Sequence, residues 1–259
     1  MPGTRSPVVG ADEETIARVA IVAALAIERV PLDASLAAYP KPSIRVYQCG
    51  IGSERAYDVA STALSAGASA LVSWGIAGAL VPELSPGTIL LPEQVLTAEG
   101  EEFATDSQWR MELRRALQPM FAVHGGSLIA AREVLSTRAA KARVAQASGA
   151  SVVDMESAAV GRAAADAGKP FVVLRVVVDT LADTFPRGVS RWIDAAGNRR
   201  LIAALETAFR PMFWPELFRL SRRYRQARRT LTDSAQILVP QGFLYPQPSS
   251  VRAWHSNAP

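Results

Sequence analysis

The sequence predicts an α/β fold, wound around a mostly parallel central sheet and followed by a C-terminal amphipathic helical extension. Three observations lead there. Apolar runs of strand length recur along the chain with Ala-rich, helix-length stretches between them, the alternation that builds right-handed crossovers. Some runs, such as Phe171-Val172-Val173-Leu174-Arg175-Val176-Val177-Val178-Asp179, carry few polar positions, as strands covered on both faces do. Gly149 and Gly168 close two helical stretches and lead straight into the next apolar run.

The expected strands are residues 19–25, 44–50, 70–75, 88–98, 127–131, 151–155 and 171–179. The first belongs to an apolar run of about nine residues that ends at Glu28-Arg29. That is too short to cross a bilayer, and no basic lead-in precedes it. Helices are expected at 53–66, 137–148 and 157–167, stopped by Gly67, Gly149 and Gly168. After Asp179 the pattern changes: 183–197 reads as irregular and 198–209 as a helix. Then Phe213, Leu217, Leu220, Tyr224, Ala227 and Leu231 recur at three- and four-residue steps, the mark of an amphipathic helix. The expected organisation is a mobile tail over 1–15, one α/β domain over 16–210, a basic helix over 211–239, and a second mobile tail over 240–259.

At 259 residues and 49% hydrophobic, the chain can bury a substantial core, which excludes global disorder. A single cysteine, Cys49, excludes an internal disulfide and fits a reducing cytoplasm. The two histidines, His124 and His255, have no paired spacing, so no metal site is expected. The net charge of +4 is local. Arg210, Arg219, Arg222, Arg223, Arg225, Arg228 and Arg229 share one stretch with a single acid, Glu216. Beside Phe213, Trp214, Leu217, Phe218 and Leu220, such a cluster suits an anionic membrane interface, at roughly 1 kcal/mol per basic residue. The same helix also reads as one packed on the core or on a second subunit with a solvated basic face. No base-reading motif accompanies the charge, so nucleic acid is not an expected partner.

Two glycine clusters and three acids carry the chemistry. Gly50-Ile51-Gly52-Ser53 and Gly75-Ile76-Ala77-Gly78 each follow a strand, where glycines let backbone N–H groups approach a ligand. Neither is a dinucleotide fingerprint, and each alone reads equally as a tight turn. Glu28, Glu156 and Asp179 all stand at the C-terminal ends of expected strands, where open α/β sheets bind ligands. Singly, Glu156 reads as a helix-dipole partner, Asp179 as a cap, Glu28 as plain surface and Met155 as core.

Taken in order, the pieces are the strand leading to Glu28, Cys49-Gly50-Ile51-Gly52, Ser73-Trp74-Gly75-Ile76-Ala77-Gly78, Leu84-Ser85-Pro86-Gly87-Thr88, Val153-Asp154-Met155-Glu156 and Arg175-Val176-Val177-Val178-Asp179. This set, spanning about 19–182, resembles the superfamily of purine nucleoside phosphorylases and methylthioadenosine/adenosylhomocysteine nucleosidases. Its members have a three-layer phosphorylase/hydrolase-like fold. Gly52-Ser53-Glu54-Arg55-Ala56, Ser73-Trp74-Gly75, Leu91-Pro92-Glu93, Asp154-Met155-Glu156-Ser157-Ala158 and the arginine-rich tail are similar to the hopanoid-associated phosphorylases. Those are taken to remove adenine from adenosylhopane during bacteriohopanepolyol assembly.

The resemblance implies an N-ribosyl glycosylase that needs no cofactor, with phosphate or water as the attacking group. Asp179 aligns with the acid that protonates adenine N7, Glu156 with the carboxylate that holds the ribose hydroxyls, and Glu28 with the glutamate that positions a water. Met155, Ile51, Gly75, Ile76, Ala77, Gly78 and Val178 are the implied substrate contacts, with Val134 at the purine wall. Phe103, in the stretch 99–106, is implied in closing a neighbouring subunit's 5′ pocket in a dimer or hexamer. Arg55 and Gly52 are the phosphate candidates. Two departures stand out: Ile76 and Val178 occupy positions where nucleosidases usually carry Ser. The implied substrate is a small, lipid-linked nucleoside, met in the cytoplasm or at the inner membrane surface through residues 213–231. The alternatives are a soluble methylthioadenosine or adenosylhomocysteine nucleosidase, another purine nucleoside phosphorylase, and a nucleoside-binding protein without catalysis.

Overall fold

Two parallel half-sheets meet at the tip of one long strand. The structure, a computed structural model, describes residues 18–184 and 214–245, with side chains in the second segment from 221 onward. The expected helix over 198–209, the tail over 1–15, and the side chains of Phe213, Trp214, Leu217, Phe218 and Leu220 lie outside it.

In the first half, β1 (Val19–Ala23) lies between β2 (Ile44–Gln48) and β3 (Ala70–Ala79), parallel to both, and β10 (Phe171–Asp179) flanks β3 in parallel on its other side. Beyond β10 come β4 (Ile89–Leu90), antiparallel to it, and β7 (Val123–His124). In the second half, β5 (Gln94–Thr97), β8 (Ser127–Ala130) and β9 (Val152–Asp154) run parallel, with β6 (Glu102–Ala104) antiparallel on the edge. Among the described strands, the halves pair through β3 and β9, antiparallel at Gly78↔Val153 and Ala79↔Val152. All the strand ends do not therefore point one way. β9 runs back toward the middle of β3, and this brings its C-terminal end to the first half.

Helices cover both faces. On one, α2 (Ser53–Ser65) and α5 (Ser157–Asp166) bury Ala56, Ala60, Ala63, Ala159, Ala163 and Ala164, small side chains that let helices lie close to each other and to the sheet. On the other, α1 (Ala26–Ala38), α3 (Ser107–Leu117) and α6 (Trp214–Leu238) share a core with Trp74, Leu174 and Val176. Over the second half-sheet, α4 (Arg138–Ser148) is capped by Thr137 and ends at Gly149, whose φ of 66° needs glycine.

Several expectations are corrected here. The run 88–98 is two strands, because Pro92 has no N–H to give a continuous ladder. The strand expected over 70–75 runs on to Ala79, so Gly75-Ile76-Ala77-Gly78 is extended sheet rather than a turn. Glu28 does not end a strand; β1 stops at Ala23 and Glu28 lies in the first turn of α1. In α6, Ala227, Leu231, Ala235 and Leu238 are buried in the core, so that stripe is not free for a membrane, while Arg222, Arg225, Arg228 and Arg229 are exposed. Residues 240–245, expected as mobile, pack inward: Phe243 is fully buried edge-on to Trp74, and its carbonyl accepts from Trp109 Nε1 at 2.7 Å.

Candidate active site

The junction of the half-sheets gathers an unusual density of buried charge. Arg175 lies mid-strand in β10 opposite Gly75 of β3 and is 1% exposed. A guanidinium that deep must be fully paired. Its Nε donates to Asp154 Oδ2 at 2.8 Å, and its Nη2 donates to Ser73 Oγ at 2.8 Å and Ser157 Oγ at 3.0 Å. Burial works against its charge, but Asp154, Glu28 and Glu156 outweigh that and hold it protonated. Gly75 is obligatory: a Cβ there would overlap the Arg175 guanidinium and stand 2.7 Å from Glu28 Cδ.

Glu28 reaches back over the start of α1. Its Oε2 accepts from the backbone N–H groups of Ala24 and Leu25 at 3.0 and 2.9 Å, and its Oε1 accepts from Ile76 N at 2.9 Å. Burial raises its pKa, while Arg175 and these N–H groups pull the other way. Glu156 stands at the β9–α5 turn and accepts from Gly52 N at 3.0 Å. Ser53 Oγ donates to the Met155 carbonyl at 3.1 Å, so the β2–α2 and β9–α5 turns are tied together. Burial, reinforced by Asp154, pushes Glu156 up to about 7.

The folded state therefore holds the Glu156 proton more tightly than the unfolded chain, whose carboxyl sits near its ordinary 4.5. The stability this confers is complete below the unfolded value and is lost as pH rises through about 7. Glu156→Gln keeps an acceptor for Gly52 and removes the titration. Between pH 5 and 8, wild type should lose on the order of 1–3 kcal/mol relative to this variant in denaturant melts. A difference that stays flat across that window would refute the assignment.

Asp179 closes β10 beyond a bulge, opposite Gly78, where a Cβ would stand 3.1 Å from its Oδ1. Its Oδ2 is paired with the ammonium of Lys141, on α4, and Lys141 also donates to the Thr180 carbonyl at 2.7 Å. Burial raises the Asp179 pKa against the pull of Lys141. Glu28 at Ile76 and Asp179 at Gly78 thus flank positions two residues apart on β3, roughly 7 Å.

The remaining expected residues divide. Met155 and Val178 adjoin Glu156 and Asp179 in the chain, while Ile51, Ile76 and Ala77 lie on the β2–α2 turn and β3, which the acids face; Ala77 is buried and the rest half-buried. Arg55 is exposed on α2, and Val134 is 40% exposed on the β8–α4 connection. Phe103 does not reach its own chain's acids. It packs on Gly161 with the Arg162 guanidinium 5.6 Å from its ring centroid, and it lines a cleft of about 300 Å³ at the Phe171 end of β10. Asp179 stands at the other end of that strand, roughly 26 Å away, while Glu156 lies five residues before Gly161 at the start of α5, roughly 8 Å along the helix. Among the described residues, no cluster of His, Cys, Asp and Glu could hold a metal ion. Cys49 lies near Glu156 and Glu28, but burial pushes its thiol up to about 12, which leaves no thiolate at neutral pH.

Sequence reasoning missed Arg175, Asp154 and Lys141 as site residues. The first two had a signal: a lone arginine inside Val-rich β10 requires a buried anion, and Asp154 is the acid of another apolar strand, β9, one strand removed across β3. Lys141 had none, since Arg138-Ala139-Ala140-Lys141-Ala142-Arg143 reads as an ordinary solvated helix.

A profile of the Phosphorylase superfamily matches residues 8–209. No curated protein sequence matches the chain. Among solved structures, the Neisseria meningitidis 5′-methylthioadenosine/S-adenosylhomocysteine nucleosidase in complex with methylthio-immucillin-A is 15% identical. It covers 86% of this chain and 99% of its own, with a TM-score of 0.65. The Helicobacter pylori futalosine hydrolase is 16% identical over 88% of this chain and 96% of its own, TM-score 0.60. A mutant of the Helicobacter pylori nucleosidase with 5′-methylthioadenosine in the active site is 18% identical over 70% and 94%, TM-score 0.59. At these identities the likeness is one of fold.

Proposed function

From the premise that the chain belongs to the phosphorylase superfamily, and so is an N-ribosyl glycosylase of the phosphorylase or nucleosidase type, we propose that it cleaves the N-glycosidic bond of a 5′-hydrophobic adenosine derivative. Our reading of that substrate is adenosylhopane, with release of adenine in hopanoid biosynthesis. The observation that carries the chemistry is the set of three buried carboxylates, Glu28, Glu156 and Asp179, around the upper half of β3.

Breaking the bond at ribose C1′ leaves positive charge on the sugar and negative charge on the base. Glu156, a desolvated carboxylate at the sugar side, stabilises the first. Its attraction for a cation is stronger in a site from which water is excluded. Asp179 answers the second by delivering a proton to the base, so that adenine leaves neutral. Glu28 is fixed by three backbone N–H groups and serves to orient an attacking water. Arg175 holds no phosphate in this scheme, because its hydrogen bonds go to Asp154, Ser73 and Ser157. Of the phosphate candidates, Gly52 gives its N–H to Glu156, and Arg55 is exposed on α2.

Two features support a hydrophobic 5′ group. Ile76 and Val178 are apolar where the resemblance expects hydroxyls. The exposed Arg222, Arg225, Arg228 and Arg229 form a face suited to anionic lipid headgroups. The second reading is a soluble nucleosidase acting on 5′-methylthioadenosine or S-adenosylhomocysteine, favoured by the solved neighbours of like fold.

Incubation with adenosylhopane, 5′-methylthioadenosine and S-adenosylhomocysteine, with and without phosphate, separates these by mass. We expect free adenine and a ribosyl-lipid. A 1-phosphate product would assign phosphate as nucleophile, and faster turnover of the sulfur nucleosides would favour the second reading. No adenine from any of the three would overturn the function.

A further inference from the structure

Lys141 is a fully buried cation in contact with the proposed acid, and nothing in the cleavage chemistry so far uses it. The geometry points to Lys141 as the proton source for Asp179, in a relay from the Lys141 ammonium through the Asp179 carboxylate to the leaving base. The inference rests on the function proposed above and goes beyond it.

The argument starts from a difficulty. An aspartate paired with an ammonium is held ionised by its partner, and an ionised carboxylate has no proton to give. Burial pulls the other way, since a lone buried carboxylate prefers to be neutral. A buried Lys–Asp pair resolves the conflict by holding one transferable proton between two groups. As the glycosidic bond breaks and its electrons move to the base, one proton of the Lys141 ammonium crosses to Asp179 Oδ2, and the carboxyl so formed passes it on to N7. The balance is complete: N7 gains one proton, Lys141 goes from ammonium to amine, and Asp179 ends as it began. Lys141 is recharged from solvent after adenine leaves.

The surroundings are built for this transfer. Lys141 and Asp179 are 1% and 4% exposed, so water does not compete for the proton. The Thr180 carbonyl holds the ammonium in line at 2.7 Å. Thr180 is itself fixed by Asp183 Oδ2, which accepts from its N–H and its hydroxyl at 2.7 Å each. Asp183 is paired in turn with Arg223 of α6. The charged groups facing Asp179 are thus Lys141 from α4, Asp183 from its own loop and Arg223 from α6. β3 presents Gly78 and β9 presents Val153 at this point, and neither is charged. Asp183 and Arg223 compensate each other, which leaves Lys141 as the cation whose proton is in reach.

Lys141 acts through Asp179 and is therefore a positioning residue. Its test is the pH dependence of kcat for adenine release from 5′-methylthioadenosine in wild type, Lys141→Met and Lys141→Arg. Site assembly is measured separately by the Kd for 5′-methylthiotubercidin, which has a carbon in place of N7. Lys141→Met is expected to lower kcat about 100-fold at pH 8, with KM and the tubercidin Kd within about threefold. Its alkaline limb should move to lower pH, because Asp179 must then carry its own proton. Lys141→Arg is expected to stay impaired, because a guanidinium keeps its proton. Wild-type kcat in Lys141→Met, full rescue by Lys141→Arg, or a tubercidin Kd that weakens in step with kcat would each overturn the relay. If Lys141→Met does not fold, Lys141→Arg decides alone. Wild type that releases no adenine defeats the function itself, an outcome distinct from all of these.

Discussion

Asp179→Asn is expected to lower adenine release by about 10²–10⁴-fold, the range for losing a general acid. Asn is nearly isosteric and keeps an oxygen for Lys141 Nζ, yet it has no carboxyl proton to pass on. The loss should fall on kcat, with the affinity for 5′-methylthiotubercidin largely kept, because that ligand offers no acceptor at position 7 and never drew on the acid. Some loss of stability will accompany it. The buried ammonium of Lys141 exchanges a carboxylate for an amide and is left with the Thr180 carbonyl as its stronger acceptor. Equilibrium binding and steady-state kinetics on the same preparation separate the two effects. An Asp179→Asn enzyme with wild-type kcat would remove this residue from the reaction.

The largest effect on stability belongs to Arg175→Met. Arg175 is the shared counter-charge of Asp154, Glu28 and Glu156, and three hydrogen bonds from its guanidinium fix Asp154, Ser73 and Ser157. Methionine fills part of the volume but leaves buried acids without their cation. The expected cost is about 3–5 kcal/mol, a fall in melting midpoint of about 6–20 °C for a chain of this size. The mechanism carries its own check. Replacing Asp154 as well, in Arg175→Met/Asp154→Leu, removes the orphaned charge along with its partner and should recover a large part of the loss. If the double variant is as unstable as the sum of the singles, the damage lies in packing and the electrostatic account fails.

The residues that carry charge were legible along the chain wherever an acid interrupted an apolar strand or stood at its end. Asp179 is such a case, and so is Glu156, one residue past the strand expected over 151–155. Glu28 was legible as a site residue but not in its placement. β1 stops at Ala23, and Pro31 inside α1 masks the helix that follows. α3 was missed although Trp109, Leu113 and Leu117 recur at four-residue steps and Asp106 accepts from Trp109 N at 2.8 Å, a cap of ordinary form. β4, β6 and β7 are two or three residues long, and no periodicity exists at that length. The antiparallel join of β3 to β9 could not be read at all, because it rests on two residue pairs brought together from distant parts of the chain. Lys141 belongs to the same class: what makes it unlike its neighbours Arg138 and Arg143 is where α4 lands, and no local pattern records that.

The join has a thermodynamic meaning. Glu156 rides on one half-sheet while Glu28 and Asp179 ride on the other, so a nucleoside that touches all three is bound by both halves at once. By mass action a tight ligand of that kind raises the resistance of the whole chain to heat. Cleavage divides the ligand, and two fragments, each held by fewer contacts, should protect the chain less than the intact nucleoside does.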